Sequence, residues 1–221
     1  MSHPTLIDLS HTIREGLKTY KGLPAPLVCD FISRQQSRDS YDDQAEFVIN
    51  RIDMVTNTGT YIDCPFHRFS EGDDFGEITL DRLVDLPGIV IPVPYEHSLE
   101  IGLEVVQGRD VTGKAVVFHT GWDRHFNTPN YYENHPYLTE SAAGYLVEQG
   151  ALLAGIDSHN IDNTGINRRP VHTALLGAGV LIVEHLTQLH LLPESGFLFS
   201  AVPPKFAGVG SFPVRAMAKI L

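Results

Sequence analysis

The sequence is poor in several residue types, and each shortage argues against a class of protein. Of 221 residues only Cys29 and Cys64 are cysteines, without the spacing of a disulfide framework or a thiolate zinc site. Sixteen basic residues against 27 acidic ones give a net charge of -11, which disfavours nucleic acid and anionic membranes as partners. No run approaches the ~18 apolar residues of a membrane-spanning helix. A small molecule is therefore the expected partner.

The first ten residues lack a basic segment followed by a long apolar run, so we expect a cytoplasmic protein. No linker-like stretch, internal repeat or low-complexity tract divides the chain. With 43% hydrophobic residues, the chain is long enough to bury one core. These observations predict a single domain over residues 1–221.

Short apolar runs rich in valine and isoleucine predict β-strands along the chain. The predicted strands are Thr5–Leu9, Leu27–Ile32, Phe47–Val55, Gly88–Val93, Lys114–His119, Ala151–Ile156, Val180–Glu184 and Val214–Ile220. Fewer helices are expected: one over Glu140–Gln149, capped by Thr139 and ended by Gly150, and a shorter one over Leu80–Leu86. Because strands outnumber helices, the pattern predicts an α/β domain with a mixed sheet or partly closed barrel and flanking helices.

A polar segment that ends in His67 follows one of the predicted strands. Side chains of an extended chain repeat with period two, so Asn57, Tyr61 and Asp63 are expected on one side. Pro65 interrupts further sheet pairing and lets His67 fold back toward the same pocket. An aspartate and a histidine four residues apart can share a zinc or manganese ion. By spacing alone, an Asp63 that bonds turn amides and a half-exposed His67 remain the simpler interpretation.

Carboxylates at the ends of other predicted strands strengthen the case for a polar site. Glu184 and Asp157 each follow a strand, and His172 precedes the apolar run that ends in Glu184. A carboxylate buried without a partner is costly, so a metal, an arginine or a hydrogen-bond network is expected beside Glu184. His159 and Asp162 are candidates for orienting a metal ligand.

Further candidates each have a structural alternative. Phe66, beside the polar segment, is a candidate wall of the substrate pocket. Trp122 either stacks on an aromatic substrate or serves core packing or an oligomer contact. Arg168 and Arg169 either clamp a substrate carboxylate or pair with acidic neighbours. The polar run 123–136 predicts a long loop of the kind that forms lids or binding surfaces.

The motifs taken together resemble those of the putative cyclase family, which includes bacterial kynurenine formamidase and isatin hydrolase. They occur in the expected order over nearly the whole chain: Gly-Thr-x-x-Asp-x-Pro-x-His in Gly59–His67, Thr120–Trp122, Gly155–Asp157, His172 with Leu175–Leu176, Val183–Glu184 and Ser211–Ala216. The resemblance implies a swivelling β/β/α-like fold and a homodimer or homotetramer. It also implies hydrolysis of an amide, formamide or cyclic amide at a zinc or manganese centre.

The sequence departs from the family motif His-x-Gly-Thr-His-x-Asp-x-Pro-x-His at two positions. Asn57 and Tyr61 stand where the resemblance places metal-binding histidines. The retained positions imply a site for one divalent ion, zinc or manganese, with the ligands Asp63, His67, His172 and Glu184.

The predicted roles follow from the chemistry of these side chains. His67 is the first candidate for moving protons and Glu184 the second. Asn57 and Tyr61 are expected to contact substrate, with metal ligation and structural filling as alternatives. Two functions stay open: a hydrolase that uses a metal-activated water, and a catalytically inactive family member that binds small molecules or supports assembly.

Overall fold

The computed structural model describes residues 5–221, and β-strands dominate it. The strands are β1 (Thr5–Asp8), β2 (Leu27–Ile32), β3 (Ile49–Asp53), β4 (Tyr61–Asp63), β5 (Leu86–Pro92), β6 (Glu100–Ile101), β7 (Ala115–His119), β8 (Tyr137–Leu138), β9 (Leu153–Ile156), β10 (Leu181–Glu184), β11 (Phe197–Ser200), β12 (Ser211–Pro213) and β13 (Met217–Ile220). The α-helices are α1 (Arg34–Ser40), α2 (Leu103–Val106), α3 (Glu140–Glu148) and α4 (Pro170–Gly177). Short 3-10 helices form at Pro65–His67, Leu80–Arg82, Trp122–His125, Pro129–Tyr132 and Leu189–Leu191. None of the helices in this range is long and apolar enough to cross a membrane.

Nine strands form one mixed sheet in the order β1-β13-β11-β5-β7-β9-β10-β4-β12. The central strands β5, β7, β9 and β10 run parallel. Antiparallel strands extend the sheet on both sides, β11 beside β5 and β4 beside β10. The sheet curls into a half-barrel, which confirms the α/β prediction with a partly closed mixed sheet.

The two faces of the sheet bury two different apolar clusters. Along β7, Ala115 and Val117 contribute to one cluster, whereas Val116 and Phe118 contribute to the other. This alternation follows from the period-two geometry of a strand. Helices α2, α3 and α4 cover the second face with fully buried side chains such as Leu146. The parallel centre of the sheet is therefore buried on both faces, as its continuous apolar runs require.

Helix α3 confirms the clearest helix prediction, and two other predictions are wrong. The Thr139 side chain accepts a hydrogen bond from the amide of Ala142 and caps α3. The helix predicted over Leu80–Leu86 shortens to a 3-10 turn, because Leu86 joins β5 and pairs with β11. The strand predicted over Val214–Ile220 begins only at Met217, after the separate strand β12.

Strands β2 and β3 form a separate two-stranded hairpin that stands outside the main sheet. Every residue of β3 is exposed, and so are five of the six residues of β2. Several of the exposed side chains are large and apolar; Phe31 is 68% exposed and Ile52 is 59% exposed. Because this hairpin buries so little surface, contacts within the chain contribute little to its stability.

Candidate active site

The pairing of three strands gathers the polar side chains of the site. Strand β4 lies between β10 and β12, with Tyr61 opposite Glu184 and Asp63 opposite Ser211. Since alternate residues of a strand share a face, Tyr61 and Asp63 lie on one side while Ile62 enters the apolar core. The register therefore joins residues that are far apart in the sequence.

Asp63, His67 and His172 each place one ligand atom within 4.8 Å of the others. Asp63 and His172 are buried, whereas the His67 side chain is 36% exposed. The His172 Nε2 atom lies 3.6 Å from Asp63 Oδ2 and 3.7 Å from Glu184 Oε1. Asp63 Oδ2 is buried and has no hydrogen-bond partner in the described part of the chain. An unpartnered carboxylate oxygen among imidazoles fits a divalent cation.

The carboxylate of Asp162 fixes the orientation of His172. Its Oδ2 atom lies 2.6 Å from His172 Nδ1 and also accepts the backbone amide of His172 at 3.0 Å. Its Oδ1 atom accepts the amide of Val171 at 2.8 Å, so Asp162 also satisfies donors in the first turn of α4. Nε2 is thus left pointing at the cluster, which is the usual support for a metal-ligating histidine.

The acidic surroundings of His172 favour its protonated form. Burial opposes the charge, but contacts with Asp162, Asp63 and Glu184 outweigh burial and raise the pKa of His172 to about 10. A cation at the cluster would therefore take the place of this proton.

A network of neutral donors surrounds one oxygen of Glu184. The Tyr61 hydroxyl donates to Glu184 Oε2, and the Tyr20 hydroxyl and the Asn160 amide each lie 3.4 Å from the same oxygen. The other oxygen, Oε1, accepts the amide of Ile161 at 2.7 Å. Burial raises the pKa of Tyr61 well above its ordinary value, and the Glu184 charge adds to this effect. Tyr61 is therefore a hydroxyl donor here.

Burial also raises the pKa of Glu184, to about 7, although the neighbouring His172 charge acts in the opposite direction. Tyr61, which replaces a motif histidine, thus supplies a hydrogen bond to Glu184 where the resemblance had placed an imidazole ligand.

Ser211 links the side chains of His67 and Asp63. Its hydroxyl donates to Asp63 Oδ1, because an ionised carboxylate only accepts. The Ser211 oxygen lies 2.7 Å from His67 Nδ1 and is free to accept its proton. This arrangement selects the His67 tautomer with hydrogen on Nδ1 and leaves Nε2 as the basic nitrogen.

A cavity of about 250 Å³ reaches this cluster at Tyr61, His67 and His172, whereas Asp63, Glu184 and Ser211 are not on its lining. Predicted residues on its lining are Asn57, Tyr61, His67, Arg169 and His172. The sequence did not single out the other lining residues, which are Tyr20, Leu23, Arg68 and Asn160. Tyr20 and Asn160 carry no local sequence signal, since both lie in irregular segments that only the folded chain brings beside Glu184.

Two of the expected substrate contacts lie elsewhere. Trp122 follows β7, which β9 separates from β10, and its indole N–H donates to the Tyr131 carbonyl at 3.1 Å. Its ring packs against Tyr95 and His125 at a different surface depression. Phe66 is half-buried against the apolar core rather than on the cavity lining. The structure therefore does not bring Trp122 or Phe66 to the cavity.

Asp157 and His159 also have other roles. The carboxylate of Asp157 accepts the amides of Thr120 and Gly121 and holds the turn after β7. His159 packs its ring against Tyr20, with 4.5 Å between the ring centroids. Arg168 is exposed and absent from the cavity lining, unlike its neighbour Arg169.

Comparisons with known proteins agree with this fold and with the family resemblance. Kynurenine formamidase from Geobacillus thermodenitrificans is 27% identical over 212 residues, 95% of each chain. The Bacillus cytotoxicus kynurenine formamidase is 24% identical and covers 97% of each chain. The solved structure of a potential metal-dependent hydrolase with cyclase activity has a TM-score of 0.81 and 27% identity, covering 99% of this chain and 98% of that one.

Isatin hydrolase A from Labrenzia aggregata, solved with benzyl benzoate bound, has a TM-score of 0.83. It is 21% identical and covers 98% of this chain and 94% of its own, so this likeness supports the fold alone. A family model described as "Putative cyclase" matches residues 7–163. Because that match spans well over half of the 221 residues, the chain belongs to the putative cyclase family.

Proposed function

We propose that the protein is a metal-dependent hydrolase that cleaves a carbon–nitrogen bond other than a peptide bond in a small molecule. The observation that carries the proposal is the buried Asp63 Oδ2 atom, unpartnered within residues 5–221 and close to the imidazoles of His67 and His172. Family membership and the kynurenine formamidase relatives support the same reaction class.

The donor set fits one zinc or manganese ion, since both metals accept carboxylate oxygen and imidazole nitrogen. Asp63, His172 and Glu184 would hold the ion. Four protein ligands would close a tetrahedral zinc site and leave no position for water, so we assign His67 to proton transfer rather than to metal ligation. When bound, the ion lowers the pKa of a water molecule and polarises the scissile carbonyl.

The side chains around the cavity supply the remaining chemistry. His67 Nε2 is the nitrogen that Ser211 leaves free, so it accepts the proton of the attacking water and returns it to the leaving nitrogen. Asn57 lines the cavity and can donate its amide hydrogen to the developing oxyanion. The Tyr61 hydroxyl already donates to Glu184, so its contribution is to position that carboxylate.

The first experiment measures metal content and turnover together. Elemental analysis of protein purified without chelator is expected to give about one zinc or manganese ion per chain. The Asp63→Ala variant should lose both metal and activity, whereas His67→Ala should keep the metal and lose turnover. A panel of formamides, cyclic imides, lactones and carbamates then identifies the substrate. Less than ~0.2 ion per chain, with no rescue by added zinc or manganese, would leave the small-molecule-binding or assembly function instead.

We also propose that the protein acts in the cytoplasm as a homodimer or homotetramer. The exposed β2–β3 hairpin supports self-association, because Phe31 and Ile52 present apolar surface that a second copy would bury. Analytical ultracentrifugation should show an oligomer that the F31D/I52K double variant dissociates. Leu80→Asp, a change at another exposed leucine, is the control. A monomeric wild-type protein at micromolar concentration would contradict the assembly.

A further inference from the structure

Two arginines on the lining of the active-site cavity have no carboxylate partner among the described residues. Arg68 directly follows His67, and Arg169 directly precedes helix α4. The arginine–carboxylate pairs within residues 5–221 involve other side chains, namely Arg34, Arg38, Arg124 and Arg215. Other arginines in this range also lack a carboxylate partner, but Arg68 and Arg169 line the cavity, so an anion that enters it would meet both guanidinium groups.

Hydroxyl and carbonyl oxygens hold both arginines in place. Arg169 Nη1 donates to the carbonyl oxygens of Ile166 at 2.8 Å and Arg168 at 2.9 Å, and lies 3.5 Å from the carbonyl oxygen of Asn163. Arg68 Nε donates to Thr173 Oγ1 at 3.1 Å, and the Thr173 hydroxyl donates to the Arg169 carbonyl at 2.7 Å. The remaining guanidinium N–H groups have no partner in the described chain. A fork of N–H donors held in this way matches a carboxylate in geometry and charge.

The nearby acids do not neutralise these arginines, because the basic side chains beside their carboxylates are those of His67 and His172. Asp63 accepts from Ser211, and Glu184 accepts from Tyr61 and the amide of Ile161. Both acids are fully buried, and neither forms an ion pair with an arginine in the part of the chain that the structure describes. The guanidinium groups therefore stay available to a molecule that enters the cavity.

We propose that Arg68 and Arg169 select a substrate that carries a carboxylate close to the scissile carbon–nitrogen bond. This inference rests on the proposed hydrolase function and narrows its substrate class to small anionic amides. Thr173, which directly follows the candidate ligand His172, is a positioning residue in this arrangement. Its hydroxyl accepts a hydrogen bond from Arg68 and donates one to the backbone carbonyl of Arg169.

A matched pair of probes tests the proposal: 2-formamidobenzoate carries the carboxylate, and formanilide lacks it. In the Arg68→Gln and Arg169→Gln variants, KM for 2-formamidobenzoate should rise about tenfold, the loss expected for one charged hydrogen-bond partner. KM for formanilide should stay within about twofold. Arg168→Gln is the control, because it removes the same charge from an exposed neighbour off the cavity lining. Arg169→Lys should recover part of the loss.

Equal effects on both probes, or equal effects of Arg168→Gln, would overturn the proposal. Calorimetric titration with benzoate tests the anion site independently of the hydrolase function. If neither probe is hydrolysed but benzoate binds the wild type more tightly than the two variants, the anion site stands and the hydrolase proposal fails. If both probes are hydrolysed and benzoate binds all variants equally, the anion site fails and the hydrolase proposal stands.

Discussion

The Tyr61 hydroxyl donates a hydrogen bond to Glu184 Oε2, and strand pairing places the two residues directly opposite each other. At the position of Tyr61, the motif that this chain resembles has a histidine. A neutral phenol cannot replace that imidazole as a metal ligand without losing its proton, and burial opposes that loss by raising the pKa of Tyr61. At this position the chain therefore has a hydrogen-bond donor to the fully buried Glu184 carboxylate instead of an imidazole.

Replacing Tyr61 by phenylalanine should destabilise the metal-free protein. The substitution keeps the ring but removes the donor to a buried carboxylate, which costs about 1–3 kcal/mol of unfolding free energy. Tyr41→Phe is the matched control, because Tyr41 is 54% exposed, and it should change stability by less than about 0.5 kcal/mol. Urea unfolding of both variants with chelator present measures the difference. Equal stability would show that the Tyr61 hydroxyl does not support Glu184.

Replacing Asp162 by asparagine should weaken metal binding without removing any candidate ligand. The carboxylate lies 2.6 Å from His172 Nδ1, and loss of such support weakens metal affinity by about 10- to 100-fold. Asp110→Asn is the control, since Asp110 pairs with Lys114 at an exposed site. Competition with a chromogenic zinc chelator measures both affinities. A variant that binds zinc as tightly as the wild type would exclude an orienting role for Asp162.

Metal binding should release a proton from His172. Its pKa is raised to about 10, so below that pH the metal-free imidazole is mostly protonated and the ion must displace the proton. Glu184, whose pKa is raised to about 7, is mostly protonated only below that pH, and only there would metal binding release a second proton. Between pH 7.5 and 9, zinc affinity should therefore rise about tenfold per pH unit. Calorimetry in two buffers of different ionisation enthalpy should detect about one proton per ion, and a pH-independent affinity would contradict this assignment.

The sequence predicted the strands of the sheet centre better than the strands that build the site. Ala115–His119 and Leu153–Ile156 carry long apolar runs, because the parallel centre is buried on both faces. Strand β4 has only three residues, two of them polar, so its pairing with β10 and β12 has no local signal. The site follows from that non-local pairing.

Motif order and strand ends predicted the candidate ligands and the orienting residue Asp162, whereas nothing local predicted Tyr20 and Asn160 beside Glu184. Asp63 and His67 lie in one short motif, and Glu184 ends an apolar run. Tyr20 comes from an irregular segment far from β10 in the sequence, and only the folded chain brings its hydroxyl to Glu184. For Trp122 the predicted substrate contact was wrong, because a large aromatic residue near a strand end can equally serve local packing.

Replacing Ser211 by alanine should slow turnover while leaving metal content unchanged. The Ser211 oxygen lies 2.7 Å from His67 Nδ1, and its hydroxyl donates to Asp63, so its loss frees His67 to rotate and to change tautomer. Because positioned proton transfer contributes at least about a hundredfold to many hydrolases, we expect kcat to fall about 10- to 100-fold with KM within about twofold. Ser211→Thr, which keeps the hydroxyl, should recover most of the rate. If both variants lose zinc in elemental analysis, Ser211 supports the candidate metal ligand Asp63 rather than the candidate proton-transfer residue His67.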